Sequence, residues 1–225
     1  MALKVQRQTP LFEKKEVEQV VEPADLNRLW RLLEDLVGGM ADRKEVLVTL
    51  GEEGAIRRNP LVAYVVIRLL DDPDTDVRNE AIRQLGIVVA EIPSDAVSLR
   101  VREIIGSALG KFDHRDLFGL LLSSSLDATM RGDMGRLLNL NPRSGELLAD
   151  VVGDRSVPMS IRNEAVYFIG QLGFSQALGT LERLANRIES RQRGQGAMPF
   201  AAPANPEDAA MLPAIQEAIK KLQPF

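Results

Sequence analysis

The chain has 225 residues, of which 45% are apolar, 27% charged and only 4% aromatic. That length can bury a sizeable core, and its mostly aliphatic apolar content favours packed helices over an aromatic-rich β-sandwich. A formal net charge of −4 disfavours general nucleic-acid binding, and the lack of cysteine excludes disulfides, thiol catalysis and thiolate metal sites.

Residues 1–22 contain no long apolar stretch of the kind a secretory signal needs. They read as an N-terminal arm or a loosely packed helix. Residues 23–225 read as one helical domain. No run approaches the roughly 18 apolar residues of a membrane span. The longest, at 61–70, is interrupted by Arg68. The expected location is the cytoplasm.

Helical spacing places Leu26, Leu29, Trp30, Leu33 and Leu36 on a first helix over 24–37, stopped by Gly38 and Gly39. Asp42 is positioned to cap a short helix through Leu50. A helix over 60–70 is apolar almost all round, as suits packing on several sides. Pro73 ends it, and Asp74 or Asp76 can cap the next helix, over 77–91. Further helices are expected at 96–110, 115–123, 127–138, 144–152, 161–173 and 175–192. The Gly-, Pro- and Ala-rich segment 193–206 reads as a mobile loop. After it, Pro206, Glu207 and Asp208 form a strong helix start, with Ala210, Ile215, Ala218, Ile219 and Leu222 as its expected buried side.

The chain repeats itself. Residues 77–86 read VRNEAIRQLG and residues 161–170 read IRNEAVYFIG. Arg78, Asn79, Glu80, Ala81 and Gly86 recur 84 positions later as Arg162, Asn163, Glu164, Ala165 and Gly170. Val77, Ile82 and Leu85 recur as Ile161, Val166 and Ile169. Weaker echoes lie at 101–110, with Arg102 in register, and at 130–138, with Arg131 and Asp133. An offset of 84 is twice 42, close to the length of a two-helix solenoid repeat.

The segment Asp72-Pro73-Asp74, followed by Val77, Arg78, Ala81, Leu85 and Gly86, resembles the HEAT-like repeat, including the variant of phycobiliprotein lyases. Ile161, Arg162, Ala165, Ile169 and Gly170 resemble it a second time. There Pro158 and Ser160 replace the aspartates of the turn, so capping must be reorganised. The resemblance covers about a third of the chain. It implies an all-α fold, a short and irregular α-solenoid of helical hairpins. It also implies a structural role for Arg78 and Arg162, paired with turn or neighbouring acids, Asp74 and Asp76 being placed for Arg78.

His114, the only histidine, lies between Asp113 and Asp116 and reads as a loop residue, because zinc needs further His or Cys ligands. Asp71, Asp72, Asp74 and Asp76 lack the Gly and Glu of a calcium loop and read as caps. Arg183, Arg187, Arg191 and Arg193 form a basic stripe, either a solvated face or a surface for an anionic partner. Met198, Pro199 and Phe200 can dock on their own domain or on a partner. Tyr167 falls on the opposite side of its helix from the Ile161, Ala165 and Phe168 stripe, where the first copy has Arg83. Asn79 and Asn163 share that side, which in a solenoid can line the concave groove.

No phosphate loop, nucleophile elbow, HExxH motif or dinucleotide fingerprint occurs, and no cofactor is expected. The residues therefore suggest a non-catalytic scaffold or adaptor whose groove residues Asn79, Arg83, Asn163 and Tyr167 receive a protein or peptide. HEAT-like enzymes, bilin lyases and DNA glycosylases, supply the alternative. So does a structural subunit of a larger assembly, including a homo-oligomer.

Overall fold

The computed structural model describes residues 23–39, 42–193 and 206–223. The expected arm over 1–22 lies outside them, as does the loop over 193–206 apart from its two end residues. Met198, Pro199 and Phe200 fall within that loop. The described residues form twelve α-helices and no strand. They are α1 (Pro23–Gly38), α2 (Arg43–Glu52), α3 (Ala55–Arg58), α4 (Pro60–Arg68), α5 (Thr75–Ala90) and α6 (Ala96–Leu109), then α7 (Asp116–Leu126), α8 (Arg131–Leu140), α9 (Ser144–Gly153), α10 (Met159–Leu172), α11 (Leu178–Gln192) and α12 (Pro206–Leu222). No described helix is long and apolar enough to cross a membrane.

Local chemistry sets the helix starts. Asp42 accepts from the Lys44 and Glu45 amides, Asn59 from Leu61 and Val62, and Asp74 from Asp76. Asp95 and Ser98 form a reciprocal capping box at α6. α10 follows Pro158, which supplies no side-chain cap. Its turn is held one step earlier, where Asp154 accepts from the Ser156 amide and hydroxyl.

The repeat arginines share contacts to backbone carbonyls; Arg78 does not pair with Asp74 or Asp76, whereas Arg162 pairs with a neighbouring acid, Asp208, at 3.1 Å. Arg78 Nη1 donates to the Asp72 carbonyl at 2.7 Å, Arg102 Nη1 to the Val89 carbonyl at 2.6 Å, and Arg162 Nε to the Val152 carbonyl at 3.0 Å. Each cation thus meets carbonyl groups at the end of the preceding helix or turn, which the helix dipole makes negative. Arg78 also reaches Thr75 and Ser123 hydroxyls rather than carboxylates. For Arg78 a backbone carbonyl and two hydroxyls suffice, with no second charge taken out of water.

α5 packs between α2 and α8, and α10 contacts α7, α9 and α12. Val77, Ala81 and Leu85 of α5 are buried, as are Ile161, Ala165 and Phe168 of α10. The spacing of 84 extends beyond the two motifs. α4 and α9 begin 84 positions apart, and so do α5 and α10. Glycines at helix crossings keep the same phase. Gly86 of α5 meets Asp133 of α8, and Gly170 of α10 meets Ala218 of α12.

Two expected faces differ. In α12, Ala210 is exposed, and Met211 and Leu212 are buried beside Ile215 and Ala218. In α1, Leu33 and Leu36 are buried against the core, whereas Leu26 and Trp30 face solvent, with Trp30 Nε1 donating to Glu34 at 2.6 Å.

Candidate functional site

The four residues expected to line a groove come from α5 and α10. Asn79 and Asn163 are half-buried, and the Oδ1 atom of each is buried without a hydrogen-bond donor. A buried acceptor left unpaired costs stability. Here the cost falls at the same position of both repeat copies. Arg83 is exposed and ion-paired with Glu80 one turn back on α5. Tyr167 is half-buried, edge-on to Phe168, and lies beneath the Arg131 guanidinium, 4.2 Å from the ring centroid. Tyr167 therefore packs against an adjacent helix. The neighbouring helix α8 supplies a cation that covers much of its face.

Three further residues belong to this surface. Glu80 is 2% exposed and accepts from Arg83 and from Gln84 at 2.7 Å. Glu164, its counterpart 84 positions on, is 3% exposed and accepts both Nε and Nη2 of Arg131 at 2.9 and 2.7 Å. The hydrogen bond to Glu164 raises the Arg131 guanidinium above its ordinary value. Each copy thus sets an Asn amide beside a buried carboxylate neutralised by one arginine. The first copy takes that arginine from its own helix, the second from α8. The glutamates were visible in the shared Arg-Asn-Glu-Ala tetrapeptide. Arg131 was visible only as an echo, because its partner is 33 residues away.

Asp133 borders the same region. Burial is the main cause that pushes its carboxyl above the ordinary range, against the pull of Arg136 and Arg83. A separate recess of about 220 Å³ lies between α2, α3 and α5, lined by Gly51, Ile56, Arg57, Gln84 and Ile87 among others. Arg57 is tied to Glu91 at its rim. Among the described residues, no three acidic or His side chains converge on one point as metal ligands would. Asp113, beside His114, instead accepts from the Arg115 and Asp116 amides, as a loop-and-cap reading requires.

Compared with known proteins, the chain matches no family model, no curated sequence and no solved structure.

Proposed function

We propose that the chain is a short, irregular α-solenoid of HEAT-like hairpins serving as a non-catalytic protein-binding scaffold or adaptor in the cytoplasm. Its binding surface runs over Asn79 and Arg83 of α5 and Asn163 and Tyr167 of α10. One observation carries the reading. Two asparagines in equivalent positions both hold a buried Oδ1 without a donor, a cost that folding alone gives no reason to keep twice. A protein or peptide would meet the accessible part of these half-buried residues beside the exposed Arg83.

The test is a pull-down from the native cell with wild type, an Arg83→Ala/Tyr167→Ala variant and an Asn79→Leu/Asn163→Leu variant. Leu has nearly the shape of Asn and removes the unpaired acceptor, so melting should be unchanged or higher. Partner recovery should fall in both variants. Equal recovery from all three proteins would remove the proposed surface. A marked loss of stability in the Leu variant would make the amides structural instead.

A further inference from the structure

A second surface, separate from the groove, lies on α11. Its inner face is closed, with Leu181, Leu184, Ala185 and Ile188 buried. On another side of the helix Arg183 and Arg187 are exposed and Arg191 is half-exposed. They stand four residues apart, which sets successive guanidinium groups about 6 Å apart along the axis. None of the three forms an ion pair among the described residues. Arg183 donates only to the Thr180 hydroxyl, at 3.0 Å. The nearby acid Glu189 is already engaged by Arg193 and Gln216, both at 2.9 Å.

Several other arginines are neutralised locally. Arg43, Arg57, Arg83, Arg131, Arg136 and Arg155 all pair with carboxylates. Like charges four apart repel and weaken a helix, so three in a row are a local conflict in a chain whose net charge is −4. We propose that this stripe docks an acidic protein segment in extended form, with carboxylates on alternate residues. Same-side side chains of an extended strand recur about every 6.6 Å, close to the step of the arginines. Each guanidinium can take a carboxylate through two parallel hydrogen bonds.

Other anionic partners fit less well. Single-stranded nucleic acid is held by aromatic platforms as well as charge, and α11 carries no aromatic residue. Anionic membranes are held by clusters of about four to eight basic residues or by an apolar face. Here the apolar face of α11 is turned into the core.

The experiment is fluorescence anisotropy with the full chain. The probes are a labelled twelve-residue peptide of alternating Glu and Ser, its Gln-for-Glu counterpart, labelled oligothymidine and phosphatidylserine vesicles. At about 50 mM salt the Glu peptide should bind wild type, and binding should fade toward about 500 mM. The variant Arg183→Gln/Arg187→Gln/Arg191→Gln should bind it about tenfold more weakly. That variant removes a repulsion, so helix content and melting should be retained. The Arg83→Ala/Tyr167→Ala variant should bind like wild type, which separates this surface from the groove. No binding by wild type, equal binding by the triple variant or by the Gln peptide, or tighter binding of oligothymidine or vesicles would overturn the proposal.

Discussion

Carboxylates in this chain respond to folding in two opposite ways. Asp95 is held below the ordinary range chiefly by the Ser98 amide, and Asp154 chiefly by the Ser156 hydroxyl. Hydrogen bonds to the ionised form lower such groups. Their stabilising effect is present above the unfolded value near 3.8 and is lost as pH falls through the lower folded value. Asp133 runs the other way, because burial makes its charge harder to hold in the folded chain. It penalises the native state as pH rises through the unfolded value and on to the raised folded one. Asp133→Asn should therefore gain stability on wild type between pH 3 and pH 7. Thermal melts at the two pH values check this, and a constant or shrinking gap would contradict it. At this scale the caps were legible, since Asp, Asn and Ser act within two or three residues of themselves. The burial of Asp133 was not, because it depends on Gly86 of another helix.

Helices meet closely where glycine leaves room. At Gly170 a Cβ would lie 3.1 Å from both Cα and Cβ of Ala218. Backbone cannot yield as the tip of a side chain can, so Gly170→Ala should push α12 outward and cost about 1–3 kcal/mol. Gly132 of α8 is the control. Nothing lies within 4 Å of its would-be Cβ, so Gly132→Ala should gain about 0.5–1 kcal/mol from helix propensity alone. Chemical denaturation of the two variants reads both signs, and a loss at Gly132 or a gain at Gly170 would refute the contact argument. Helix positions were largely legible from spacing and caps. α5 and α10 begin within two residues of the expected 77 and 161. Which faces are buried was less so. In α12, Ala210 fits a helical stripe as well as Met211 does, and only the placement of α10 and α11 favours Met211.

One buried cluster runs from Leu33 in α1 to Ala218 in α12. Its C-terminal end is clamped by Asp208, 3% exposed, which accepts from Arg155 at 2.8 Å and from the buried Arg162 at 3.1 Å. Asp208→Ala would leave Arg162 buried without its counter-charge, a loss of about 3–5 kcal/mol. The continuous core predicts that this loss lowers one cooperative melting transition. A separate early transition would show instead that α12 unfolds as a unit of its own. Composition and periodicity alone determined that the chain is helical, where most helices start and that two segments 84 apart are copies, because these follow from interactions within one turn of backbone. Only the tertiary structure decided that Arg162 meets Asp208 and that Arg131 serves Glu164 and covers Tyr167. It alone decided that Asn79 and Asn163 are left without donors, because each of these depends on side chains that distant helices bring together.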